Sequence, residues 1–144
     1  MHKLSPFLEK PWLPILAGFL LFGASAVGGV GFELHITTIW FDKLLHFLGG
    51  MVVTWFVLTA IPHLRTTLAI LAVVLVVGLL WEMAEWWGSF GNTSAFPLYA
   101  KYMGIGTHLD TIFDLLFDLL GGAVLLARVK LKTLFTLARE KLQY

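Results

Sequence analysis

Four apolar stretches follow one another along this chain, the first three separated by short connections and the last preceded by a longer glycine-containing one. They run over about residues 12–32, 43–61, 67–87 and 110–127. Each approaches the ~20 residues that an α-helix needs to cross the hydrocarbon core of a bilayer. The pattern predicts an all-α fold, an integral membrane four-helix bundle forming a single transmembrane domain. Pro62 closes the second stretch, while Pro11 and Pro14 stand where a first helical turn accepts proline. Trp12, Trp40, Trp86, Trp87, Tyr99 and Tyr102 fall near the ends of the stretches, as residues of an interfacial aromatic belt do. Lys3 and Lys10, then the apolar run Leu16–Phe22, then Ala24-Ser25-Ala26 have the outline of a secretory signal with a cleavage site. The reading of this stretch is nonetheless that of a first transmembrane helix.

The polar positions inside these stretches are not scattered. Asp42-Lys-Leu-Leu-His46-Phe-Leu-Gly49-Gly50-Met-Val52 is echoed by Asp114-Leu-Leu-Phe-Asp118-Leu-Leu-Gly121-Gly122-Ala-Val124. In each copy an acid, a His or Asp one turn later and a glycine pair share one helix face. The echo predicts two repeated helical hairpins related by an axis along the membrane normal. The glycines also have a plainer role, because small residues let membrane helices approach closely.

Composition sharpens the class. Of 144 residues, 58% are hydrophobic and 13% charged, against roughly 25% charged in a soluble domain. The formal net charge is +1, and nothing in it suggests nucleic acid as a partner. Membrane lipid is the expected surrounding, with a homo-oligomer or a larger membrane complex as further expected partners. Cysteine is absent, which excludes disulfides, thiolate metal sites and cysteine-ligated iron–sulfur clusters. Oxygen and imidazole remain as the strong ligands.

Basic residues set the expected orientation. With both termini cytoplasmic, the inner side holds Lys3, Lys10, Arg65, Arg128, Lys130, Lys132, Arg139 and Lys141, and the outer side only Lys43 and Lys101. Residues 128–144 then form an amphipathic, basic cytoplasmic tail and residues 88–109 an outer loop. The expected location is the inner (cytoplasmic) membrane of a bacterium, as a multi-pass protein. In that topology every acid except Glu9 and Glu140 collects in the outer half.

Ionisable groups inside membrane spans are expensive and mark functional sites. Asp42 and His46 are one turn apart, as are Glu82 and Glu85, so each pair can face one centre. Asp110, Asp114 and Asp118 step by four residues along the last stretch. Carboxylates and imidazoles projecting from several helices of one bundle are the donor set of a metal centre. Asp42, His46, Glu82, Glu85, Asp114 and Asp118 are therefore the expected ligands, with Asp110, Glu33, His35 and His108 as a second tier. The expected cofactor is a divalent metal ion, Zn, Fe or Mn, in one or two copies. Plainer readings exist for individual residues: Asp42 and Asp110 could cap helices, and Glu33 and His35 could be interfacial loop residues.

Three motifs carry a resemblance. Asp42-Lys43-x-x-His46-Phe47-x-x-Gly50 is similar to the signature of the VanZ-like superfamily of small bacterial membrane proteins. Glu82-x-x-Glu85-Trp86 and Gly106-Thr-His-Leu-Asp110-Thr-x-x-Asp114 resemble still more the YjdF-like inner-membrane family, to which no activity is assigned. Glu85 and Asp118 depart from the VanZ-like pattern, which usually has Gln and Asn there. The resemblance implies a polar intramembrane site and names no substrate.

The expected function is that of a membrane protein with a carboxylate–histidine metal site in the outer half of the bundle. Metal-dependent chemistry on a lipid-linked or small substrate would suit such a site, although no motif fixes whether the protein is an enzyme. Two other readings use the same residues: an accessory subunit of a larger membrane complex, and a proton or cation relay.

Overall fold

The structure, a computed structural model, describes residues 10–61, 63–64, 66–90 and 108–142. The described residues are all helical or connecting, without a strand. Helix α1 spans Trp12–Ser25 and continues through a π-helical stretch, Ala26–Gly31. A short α2 follows at Leu34–Thr37, then α3 at Ile39–Ala60, α4 at Thr67–Phe90 and α5 at His108–Lys141. Residues 91–107, most of the expected outer loop, lie outside the described residues.

Local chemistry explains the boundaries. Pro14 sits in the first turn of α1, where its missing N–H costs no hydrogen bond. Glu33, after the π-helical stretch, takes a left-handed backbone at φ 53° and turns the chain into α2. Thr38 is extended and begins α3, while its hydroxyl donates back to the Leu34 carbonyl at 2.7 Å. Ile61 leaves the helical region at the end of α3, as the residue before a proline is forced to do. Thr66 caps α4 by accepting the Ala69 N–H at 3.2 Å.

Two boundaries differ most from expectation. Helix α3 begins at Ile39, so Asp42 lies in its first turn and the N-cap is Thr38. Helix α5 runs 34 residues without interruption. No break separates a membrane segment from a tail at residue 128. Leu125, Leu126, Val129 and Leu131 carry the helical pattern across that point, and neither proline nor glycine interrupts it.

The packing is built on α3 and α5, which run parallel and make the most extensive contact. Their glycines set the distance of approach. A Cβ on Gly50 would collide with the Asp118 carbonyl oxygen, and one on Gly121 with the Phe47 carbonyl oxygen. Helix α1 lies antiparallel on α3, with Gly18 facing Val52 and Gly28 seated on the Phe41 ring. Helix α4 packs antiparallel against both α3 and α5.

At one end, Val57 of α3, Ile70 of α4 and Leu126 of α5 form a buried apolar core. The side chains of Asp42, Glu82 and Asp114 gather at the other. Phe19, Leu68, Leu80 and Trp87 point outward and are largely exposed. So many uncovered large apolar side chains suit lipid rather than water. Three helical stretches, Trp12–Gly29, Ile39–Ala60 and Thr67–Trp87, are long and apolar enough to cross a membrane. Three acids in its first turns distinguish α5, two of them turned into the protein.

Candidate functional site

The acidic end is built outward from His46. Its position on α3, one turn after Asp42, points the imidazole between α4 and α5, where its side chain is only 5% exposed. Nδ1 lies 3.1 Å from Asp118 Oδ2 of α5. Asp118 fits because α4 offers Gly78 opposite it; a Cβ there would collide with the same carboxylate oxygen. Pairing Nδ1 with a carboxylate fixes the ring and directs Nε2 away from Asp118.

Nε2 faces three carboxylate oxygens. Glu82 Oε1 of α4 is 3.6 Å away, Asp114 Oδ1 of α5 is 3.9 Å and Asp42 Oδ1 is 4.0 Å. Among the described residues, Nε2 and Glu82 Oε1 are both buried and without a hydrogen-bond partner. The Glu82 side chain is 10% exposed. Leaving such groups unpaired costs of order 1–3 kcal/mol each.

A second feature adjoins the first. The Lys43 ammonium donates to Asp110 Oδ1 at 2.5 Å, to Asp114 Oδ1 at 2.6 Å and to Asp42 Oδ2 at 3.3 Å. Asp114 Oδ1 thus stands between the lysine and the histidine. On the α4 side, Trp81 Nε1 donates to Glu85 Oε1 at 2.7 Å, and the Trp81 ring meets Phe22 of α1 edge-on at 6.3 Å.

Among the described residues, three groups bring donor atoms within 4.8 Å of one another: Asp42–His46–Glu85, His46–Glu82–Asp114 and Asp42–Asp110–Asp114. The six expected ligands and Asp110 therefore converge, with Asp118 entering through its bond to His46. Glu33 is exposed in the turn before α2. The His35 side chain lies outside the described residues. His108 is exposed at the start of α5 and belongs to none of the three groups.

Lys43 is the residue whose contacts sequence reasoning missed: it was counted as an outer basic charge and as part of the Asp42-Lys43-x-x-His46 motif, not as a partner of three carboxylates. Its place directly after Asp42, one turn inside a helix that starts at Ile39, was the available signal. Gly78 and Trp81 were also overlooked, and in an apolar helix neither announces a polar contact.

Nothing among solved structures matches this chain. A curated relative from Thermotoga maritima, described as "Uncharacterized protein", is 38% identical over 88 residues, covering 56% of this chain. The chain spans 42% of that relative's length. A family described as "Predicted membrane protein (DUF2238)" matches residues 7–132. The match takes in α1 through most of α5, including every residue of the acidic end, and the chain belongs to that family of predicted membrane proteins.

Proposed function

We propose that this membrane protein holds a divalent metal ion at its acidic end, on His46 Nε2, Glu82 Oε1 and Asp114 Oδ1. Asp42 and Glu85 stand beside this set as further ligands. The observation that carries the reading is the pair of buried, unpartnered donors, His46 Nε2 and Glu82 Oε1, facing each other at 3.6 Å. Donor atoms around a tetrahedral ion with ~2.1 Å bonds stand roughly 3.4 Å apart. The distances of 3.6, 3.9 and 4.0 Å around Nε2 are close to that spacing. An ion there would satisfy both orphaned atoms and offset the repulsion among converging carboxylates. The imidazole favours Zn, Fe or Mn over a purely oxygen-bound ion.

Asp118 works through His46 in this reading. A carboxylate on the far nitrogen of a ligating imidazole fixes its tautomer and raises its basicity. The fourth long helix, α5, completes the bundle as a further span, with Asp114 and Asp118 turned inward. The bias of basic residues supports placing the acidic end on the outer face of a bacterial inner membrane and both termini in the cytoplasm. A bound ion would polarise a water or a substrate oxygen there, on a lipid-linked or small substrate. The motif spacing described above supports a place near the YjdF-like and VanZ-like groups. A transmembrane proton relay is less well supported, because Val57, Ile70 and Leu126 close the opposite end with apolar side chains.

The test is elemental analysis of detergent-purified protein from cells supplied with Zn, Fe and Mn. Stoichiometric metal in the wild type, lost in both His46→Ala and Glu82→Gln, is the expected result. A folded wild type with no metal would end the proposal.

A further inference from the structure

Two of the three donor groups at the acidic end share Asp114, and a lysine already occupies one of them. The Asp42–Asp110–Asp114 group has donor oxygens within 4.8 Å of one another. Lys43 Nζ lies against all three carboxylates, at 3.3, 2.5 and 2.6 Å. Its side chain is only 12% exposed, although a lysine in the first turns of a helix could reach bulk water by rotation.

Asp114 Oδ1 bridges this ammonium and the unpartnered His46 Nε2, 3.9 Å from it. Asp42 bridges too, with Oδ2 towards Lys43 and Oδ1 at 4.0 Å from Nε2. Carboxylates that reach two cation positions at once are the framework of a two-metal centre, whose ions sit ≈ 3.5–4 Å apart. Here one position faces two buried donors that lack partners. A covalently tethered ammonium fills the other.

We propose that Lys43 is a built-in cation occupying the second of two adjoining cation positions, so that the centre takes one metal ion rather than two. This inference rests on the metal reading above and adds the count of ions and the residue that sets it. Lysine and a divalent ion differ in what they do to the bridging acids. The ammonium donates hydrogen bonds and holds Asp114 and Asp42 in place without polarising a water strongly. The chemistry is thereby confined to the His46 position, and Lys43 acts as a positioning residue.

Removing the ammonium should convert a one-ion centre into a two-ion centre. The full-length protein, purified in detergent, is stripped with EDTA and reloaded with Mn2+ as the probe, an ion suited to carboxylate ligands. Manganese per chain is counted for the wild type, Lys43→Met and Lys43→Arg. Expected are one ion in the wild type, two in Lys43→Met and one in Lys43→Arg. The electron paramagnetic resonance spectrum should change from an isolated manganese signal to an exchange-coupled one only in Lys43→Met.

Should Lys43→Met aggregate when stripped, monodispersity regained on adding Mn2+ supports the proposal, and aggregation that Mn2+ does not relieve overturns it. Two ions in the wild type, or one in a monodisperse Lys43→Met, overturns it and leaves the metal reading standing. No ion in the wild type removes the metal reading and this proposal with it, whatever Lys43→Met binds.

Discussion

The two copies of the acid–glycine stripe occupy equivalent places on parallel helices, yet they have taken complementary jobs. In α3 the copy ends its polar part with His46; in α5 the same position is Asp118, and these two side chains pair with each other at 3.1 Å. The leading acids also differ. Asp114 is 2% exposed and lies between lysine and histidine, whereas Asp42 is 22% exposed at the rim. The glycine pairs differ in crowding as well. Both Gly121 and Gly122 are tight, but of the α3 pair only Gly50 is, since Gly49 has no contact closer than 3.7 Å. A repeat with near-identical spacing can thus place a histidine from one copy against a carboxylate from the other.

The largest effect should come from breaking the helix crossing. Gly50→Leu or Gly121→Leu drives a side chain into a backbone carbonyl that cannot move aside, at a cost of upwards of ~3 kcal/mol. Thermal unfolding in detergent should show loss of the folded bundle for either. Gly49→Ala should unfold within a few degrees of the wild type, and an equal loss there would deny the asymmetry between the pairs.

Next comes the division of labour between the paired side chains. His46→Ala should abolish metal retention, while Asp118→Asn should weaken affinity by roughly 10–100-fold, as loss of a carboxylate behind a ligating imidazole does. Competition against a chromophoric chelator measures both. Equal losses would make Asp118 a ligand in its own right.

Exchanging the two residues probes the symmetry directly. The double variant His46→Asp with Asp118→His keeps the composition of the pair. It should not restore metal binding, because the Asp118 carboxylate already fills the space left by Gly78 and an imidazole is larger. Binding at wild-type affinity would mean that the copies are interchangeable after all.

The smallest effect is expected at the rim. Asp110 is 36% exposed and shares Lys43 with two other carboxylates. Asp110→Asn should change stability by under ~1 kcal/mol, in the range of exposed ion pairs. A loss as large as that of Asp114→Asn, read by the same unfolding experiment, would show that the lysine depends on Asp110.

Much of this arrangement was legible as a one-dimensional pattern. The spacing of Asp42, His46, Gly49 and Gly50 places them on one helix face, and their echo in α5 places a second such face. What the pattern withholds is how far each helix is rotated and slid against its neighbours. That register decides which ring nitrogen of His46 Asp118 meets, and it is set by backbone contacts at Gly50 and Gly121. The contacts of Lys43 were missed for a related reason. A charge at a span's end is counted towards topology, whereas α3 starting at Ile39 brings it a full turn inside, among three acids. The continuation of the last helix past residue 128 was not legible, because a change from apolar to basic residues does not interrupt backbone hydrogen bonding.

That last point gives α5 a mechanical character. Its 34 residues make a rod ~51 Å long at 1.5 Å per residue, well beyond a hydrocarbon thickness of ~30 Å. Lys130 ties it to the start of α4 through Thr67 at 2.7 Å, and past that point Leu131, Leu134 and Phe135 stand largely uncovered. Asp114 and Arg139 are thus carried on one continuous helix, so the acidic and the basic ends share a single axis.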